Sequence, residues 1–326
     1  ANETSLDFLK KATTVVADTG DFESIDKYKP QDATTNPSLL LKAFSDPKYK
    51  SLVDDAINTV KNDTSLSKEE RITACADQLA VNFGLAILKI IPGRVSTEVD
   101  ARLSFDREKT IEKAHQLIEL YKKAGVDTEK HVLIKIASTW EGLQAAKQLE
   151  SEGIHCNLTL MFAPVQAEVA GQVGGTLISP FAGRITDFYK AKESRSENYP
   201  PDQDPGVIGV ATIWKLMKSY YPKTQVMGAS FRSKEQVLAL AGCDLLTVSP
   251  TLLEEIKSQN DAVPAKLTEA DLDKDADATS RKTISQAEFL FQLNADEMAH
   301  FKLGEGIRRF VADQEKLENE LTNLLN

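Results

Sequence analysis

The 326-residue chain sets 39 lysines and arginines against 49 aspartates and glutamates, for a net charge of −10, with 41% hydrophobic and 27% charged residues. That is ordinary for a soluble globular protein, leaves room for one large α/β domain with insertions, and argues against nucleic-acid or anionic-membrane partners, which need a basic face. No apolar stretch reaches the roughly 18 residues of a membrane span, and ANETSLDFLKK lacks the basic and apolar regions of a signal peptide, so a cytoplasmic location is expected.

An N-terminal helix carrying Leu6 and Leu9 comes first. The short strand in VVADTGD follows, with Asp18 at its exit after Val15, Val16 and Ala17. In DATTNPSL, Asn36 stands at the exit of a second strand, before a proline. An insertion separates this strand from RVSTEVDAR, where Glu98 closes the third. Ile111, Ala114, Ile118 and Tyr121 then keep amphipathic helical spacing up to Gly125.

The next strand, HVLIKIAS, holds a single cation. Strand periodicity places Lys135 on one face with Leu133 and Ala137. Desolvation among these aliphatics favours the neutral amine over the ammonium. A neutral amine attacks carbonyls and gives a Schiff base. The alternative is a lysine that snorkels from a strand end.

A helix with Leu143, Ala146 and Leu149 on one face ends at Gly153 and leads into HCNLTLMF. There Asn157 and Thr159 alternate with Leu158 and Leu160, so hydrogen-bonding groups face one side and leucines the other. TLISPFAGR places Ser179, Phe181 and Arg184 at a strand exit, and VMGASFR places Ser230 and Arg232. Ser233 with Gln236, and Thr251 with Glu254, read as capping boxes opening helices after the last two strands.

Strands near residues 14, 33, 95, 132, 156, 176, 226 and 245 alternate with helical patterns. Eight such units predict a single (β/α)8 TIM-type barrel with additional N-terminal and C-terminal helices, its active groups at the C-terminal strand ends. An open doubly wound sheet is the alternative, without a GxGxxG or P-loop to support it. The barrel is expected over about 12–258, an acidic loop over about 260–283 and C-terminal helices over about 285–326, all one domain. In the last helix Leu303, Ile307, Phe310, Gln314, Leu317, Leu321 and Leu324 form a heptad-like stripe. Packing on its own barrel is the favoured use, and a homodimer contact is the other.

Three cysteines, Cys75, Cys156 and Cys243, without CxxC spacing, offer neither a disulfide frame nor a zinc site. Four scattered histidines form no metal motif. Asp271, Asp273, Asp275 and Asp277 have calcium-loop spacing but lack the glycine and the bidentate glutamate, so a solvated acidic loop is expected.

Seven strings, PQDATTNPSL, PGRVSTEVDARLS, LIKIAST, CNLTLMF, LISPFAGR, DPGV and VMGASFR, resemble the transaldolases of the long-chain class I type found in the pentose phosphate pathway. The resemblance covers essentially the whole chain. It implies a metal-free, cofactor-free enzyme that moves a three-carbon dihydroxyacetone unit from a ketose phosphate to an aldose phosphate, with the Schiff-base lysine on the fourth strand, where Lys135 falls. It further implies that Asp18 takes the C4 hydroxyl proton and that Glu98 and Thr159 hold a proton-shuttling water. Asn36 and Asn157 would bind donor hydroxyls, Ser179 and Phe181 would line the pocket, and Arg184, Ser230 and Arg232 would clamp the phosphate.

The sequence departs from the family at LMFAPVQA, where LLFSFAQA is more usual. Ala163 removes a hydroxyl and Pro164 an aromatic ring and a backbone donor, which is expected to change the local loop path. GQVGGT is also unusually rich in glycine. Taken from the residues alone, Asp18 and Asn36 could be turn or cap residues, Asn157 and Thr159 a barrel-core network, and Glu98 a partner of Arg94 or Arg102. A pyridoxal-phosphate barrel and a non-catalytic phosphosugar-binding barrel are the rival functions. The short fructose-6-phosphate aldolases are the nearest rival in chemistry.

Overall fold

The computed structural model describes residues 2–326, the side chain of residue 43 excepted. Its centre is eight strands: β1 (Thr14–Asp18), β2 (Asp32–Thr34), β3 (Val95–Glu98), β4 (Val132–Ala137), β5 (Cys156–Met161), β6 (Leu177–Pro180), β7 (Gln225–Gly228) and β8 (Leu245–Val248). Neighbours pair in parallel in chain order, and β8 pairs β1, so the sheet closes into a barrel as expected. That closing pair excludes the open doubly wound alternative.

The helices up to β4 are α1 (Ser5–Ala12), α2 (Phe22–Tyr28), α3 (Pro37–Phe44), α4 (Lys50–Val60), α5 (Lys68–Leu88), α6 (Arg107–Lys123) and α7 (Thr128–His131). Between β4 and β8 come α8 (Trp140–Ser151), α9 (Pro164–Gln172), α10 (Ala182–Lys192), α11 (Pro205–Tyr220) and α12 (Lys234–Ala239). Beyond β8 lie α13 (Pro250–Lys257), α14 (Gln286–Ala295) and α15 (Glu297–Leu325).

The two-residue period of the strands sorts their side chains into two environments. Residues such as Ile134, Ile136, Leu158 and Ile178 face outward and share one core with the helices. Val16, Leu133, Leu177, Met227 and Leu245 form a separate buried cluster, the apolar plug of the barrel interior. Two residues further along the same strands stand Asp18, Lys135, Ser179, Ala229 and Thr247. The interior therefore turns from apolar to polar toward the C-terminal strand ends, where barrels of this kind place their chemistry.

Local signals explain most helix limits. The Thr139 hydroxyl accepts from Gly142 N at 3.0 Å to start α8, which ends before Gly153 at φ +77°. Ser233 Oγ accepts from Gln236 N at 3.2 Å, but the Gln236 side chain accepts from Arg232 N, so that capping box is half formed. The second expected box is not there. Pro250 follows Ser249 and fixes the first helical residue of α13, so Thr251 already lies inside the helix, and Glu254 binds Lys27 and Tyr28.

The glycines of GQVGGT have a physical account. Gly171 lets the Tyr221 ring approach to 2.5 Å from where a Cβ would stand, and Gly174 takes the left-handed turn, φ +79°, that ends α9. The insertion between β2 and β3 is α3, α4 and α5, which build a second core around Tyr49, Phe83 and Leu79. Leu317 and Leu321 of α15 complete that core, while Leu303, Ile307 and Phe310 join the main one. The stripe is thus spent within the chain, and only Leu324 of its apolar members is exposed. The acidic segment is an exposed loop with two short turns, fastened where Arg281 grips Glu168 through hydrogen bonds of 2.9 and 2.8 Å.

Candidate active site

Strand register brings three expected residues to one level. Glu98 of β3 pairs with Lys135 of β4, and Lys135 pairs with Asn157 of β5. Thr159 lies one inward position above Asn157, opposite Ala137. Lys135 is the fourth of six buried residues in β4, so it does not snorkel from a strand end. Its Nζ lies 3.4 Å from the Thr35 carbonyl, a long contact that leaves the amine loosely held.

The acids around it are perturbed. Burial pushes the Glu98 carboxyl up to about 7 against the pull of the Lys135 and Arg184 charges. Burial also raises Asp18 above the usual carboxylate range, with Lys135, the Thr34 hydroxyl and Arg184 pulling it down. Glu98 is not tied up in ion pairs, because Arg94 binds Asp32 and Arg102 binds Asp100 and Glu318.

Seven buried side-chain polar atoms among the described residues have no hydrogen-bond partner. Five of them lie at the C-terminal end of the barrel: Glu98 Oε2, Thr159 Oγ1, Arg184 Nη1, Ser230 Oγ and Thr247 Oγ1. Each such group costs on the order of 1–3 kcal/mol when left unpaired, so their clustering marks a place made for a polar guest.

Other polar side chains are fixed. Ser179 Oγ donates to Asn157 Oδ1, and Asn157 Nδ2 donates to Ser96 Oγ at 3.0 Å, a ladder across three strands that sets the Asn157 amide. Asn36 Oδ1 accepts from Leu39 N at 2.9 Å and caps α3, so the cap reading of that residue holds beside any other.

Arg184 sits in the first turn of α10 with its guanidinium between two rings, 5.0 Å from the Phe181 centroid and 5.4 Å from that of Phe310. Burial, with Arg309 and Arg232 nearby, makes its proton less tightly held than usual, with Glu305 and Glu98 opposing. Ser230 takes φ +60°, and its carbonyl accepts from Gly183 N. Arg232 is otherwise engaged: its Nε and Nη2 bind Asp187 at 3.1 and 2.9 Å. The geometry thus gathers Arg184 and Ser230 as free donors and leaves Arg232 in a surface ion pair.

Sequence reasoning missed Thr247, Ser96, Thr34, Arg309 and Gln166. The first three obey the same alternation that exposed Asn157 and Thr159, so the signal was present. Gln166 was hidden in the segment that departs from the family. Its Oε1 accepts from Phe162 N and Ala163 N, and its Nε2 donates to the Ser138 and Leu160 carbonyls. Pro164 takes the first position of α9, where a missing N–H costs nothing.

The sequence matches, over residues 15–321, the family described as Transaldolase/Fructose-6-phosphate aldolase. The chain belongs to the transaldolase/fructose-6-phosphate aldolase family. A probable transaldolase of Dictyostelium discoideum is 56% identical over 98% of this chain and 99% of its own length. The transaldolase of Mannheimia succiniciproducens is 52% identical over 99% of both chains, and transaldolase A of Pasteurella multocida 52% over 97% of both. Within the transaldolase class the chain is a transferase of aldehyde or ketone residues. Among the described residues no helix is long and apolar enough to cross a membrane. A wide cleft of about 1060 Å³ lies outside the transaldolase barrel against α4, α5 and α6 and contains none of the site residues above.

Proposed function

We propose that this transaldolase works through a Schiff base on Lys135. As the free amine, Lys135 adds to the C2 carbonyl of a ketose phosphate such as fructose 6-phosphate or sedoheptulose 7-phosphate. The carbinolamine then loses its hydroxyl as water, using a proton from the Glu98 carboxylic acid relayed by a water on the Thr159 hydroxyl. The iminium draws the C3–C4 bonding electrons as Asp18 takes the C4 hydroxyl proton. An aldose phosphate leaves and a three-carbon enamine stays on the lysine. Asn36 and Asn157 hold its hydroxyls until an acceptor aldehyde, erythrose 4-phosphate or glyceraldehyde 3-phosphate, arrives and the steps reverse.

The observation that carries this reading is the register of Glu98 beside Lys135, with the Glu98 carboxyl pushed up to about 7. An acid that is half protonated near neutrality suits proton transfer in both directions. Ser179 and Phe181 line the pocket, Arg184 and Ser230 bind the distal phosphate, and Arg232 joins them when substrate competes with Asp187. Neither a cofactor nor a metal has a part in these steps, and the reaction belongs to cytoplasmic pentose phosphate metabolism. A second copy of the chain would dock on the outer face of α15, where Phe301 is exposed, since the inner stripe is occupied.

The test is chemical trapping. Incubation with fructose 6-phosphate and borohydride should add the mass of a reduced three-carbon unit to a peptide containing Lys135. A protein that turns over substrate but never carries that adduct overturns the mechanism.

A further inference from the structure

Glu98 has a second side. Beside the C-terminal end of β3 a narrow chamber of about 40 Å³ lies between α3, α5, α6 and α15, and Asn36, Glu98, Asp77 and Lys113 are among the residues that line it. That volume accommodates on the order of three waters. The wide cleft on the barrel exterior shares Thr73, Asp77 and Lys113 with this chamber. The two spaces are therefore adjacent, with these three residues as their common wall.

The junction is built rather than accidental. Asp77 Oδ2 accepts from Lys113 Nζ at 2.6 Å, and both side chains are largely buried. Burial raises the Asp77 carboxyl, Lys113 pulls it back, and Asp100 and Glu318 push it further up. Polar side chains lining a chamber wide enough for water give that water hydrogen-bond partners. At the front, Gly306 of α15 stands where a Cβ would lie 2.6 Å from Leu160, and Phe310 covers Arg184. On the Schiff-base reading, a sugar phosphate between Lys135 and Arg184 occupies this side of the site.

We propose that water released and consumed at Lys135 passes between Glu98 and bulk solvent through this chamber and across the wall formed by Thr73, Asp77 and Lys113, not through the substrate-filled mouth. The proposal rests on the Schiff-base reading. When the carbinolamine breaks, its C2–O bond opens and the oxygen leaves with its own proton and one from Glu98, as water. The reverse step returns one water to C2 and one proton to Glu98. If that water escapes before it re-adds, C2 exchanges its oxygen with solvent.

The test uses fructose 6-phosphate carrying oxygen-18 at C2, with erythrose 4-phosphate as acceptor. The ratio of label washout from recovered substrate to product formed is measured by mass spectrometry, corrected for spontaneous exchange. Thr73→Trp plugs the shared junction and Ala80→Leu fills the chamber itself. Each should lower the washout-to-turnover ratio several-fold, on the order of 3- to 10-fold, by trapping the departing water for return. Thr59→Trp, which lines only the outer cleft, should leave the ratio at the wild-type value. A ratio unchanged in both plugged variants, with the borohydride adduct still formed, overturns the conduit. Absence of the adduct from the wild-type protein instead overturns the Schiff base, and the conduit with it.

Discussion

Lys135, Glu98 and Arg184 illustrate how much a single side chain contributes when its surroundings are known. Lys135→Ala removes a buried amine that makes one long contact, so the variant should fold with unaltered circular dichroism yet lose turnover and the trapped adduct. Glu98→Gln keeps shape but cannot exchange a proton, and kcat should fall roughly 100-fold or more with little change in KM. The pH dependence has a fixed sign. Glu98 is raised from 4.5 to about 7, so the folded protein gains from its protonated form below the unfolded value and loses that gain as pH rises toward 7. Above pH 7 the buried carboxylate is a burden on the order of 3 kcal/mol. Glu98→Gln should therefore melt higher than wild type at pH 8 and no higher below pH 4.5, as read by calorimetry. Equal melting at pH 8 would mean that the carboxylate is well solvated. For Arg184→Ala, kcat/KM on fructose 6-phosphate should drop roughly 10- to 100-fold while unphosphorylated fructose is little affected. Arg232→Ala should cost less, because its guanidinium is already satisfied by Asp187. An equal loss on both sugars would assign Arg184 to the fold.

Among the elements, the passage from β5 to α9 is the most constrained. Leu160 takes φ +53° and the pairing with β6 shifts register between Leu158 and Met161, so the strand bends just beyond Thr159. Gln166 fastens that bend with four hydrogen bonds to backbone on both sides. Gln166→Leu leaves four buried backbone groups unpaired and should destabilise the protein by on the order of 3 kcal/mol or more. Since Thr159 sits next to the bend, kcat should fall more than the melting shift alone would explain, and steady-state kinetics well below the melting temperature separate the two. Legibility in the sequence differs by element for the same reason. The barrel was readable because each strand repeats a local rule, apolar outside and polar at the exit, and Lys135, Asn157 and Thr159 follow it. The bend was not, because it depends on where one glutamine reaches across the chain. The Thr251 capping box failed because Pro250 outranks it as a start signal, and the employment of Arg232 by Asp187 depends on a helix more than forty residues away.

At the scale of the whole molecule, α15 joins parts that are remote in sequence. It packs on α3, on α5 and on α10, and Phe310 covers the Arg184 guanidinium. Phe310→Leu keeps most of the buried volume but removes one face of the cation–π sandwich, worth about 0.5–2 kcal/mol. KM for a phosphorylated ketose should rise roughly 2- to 30-fold with kcat nearly constant. A fall in kcat with KM unchanged would place the role of Phe310 outside the anion site.

The position of α15 in the chain also gives the molecule a history. A chain synthesised from its N-terminus has every barrel strand available by Val248, when Phe310, Leu317 and Leu321 do not yet exist. During that interval the strand carrying Lys135 is already present, but the core of the insertion lacks two leucines and Arg184 lacks the ring of Phe310. Because α15 follows the last barrel strand, the Arg184 guanidinium is covered only after the scaffold that carries it is complete.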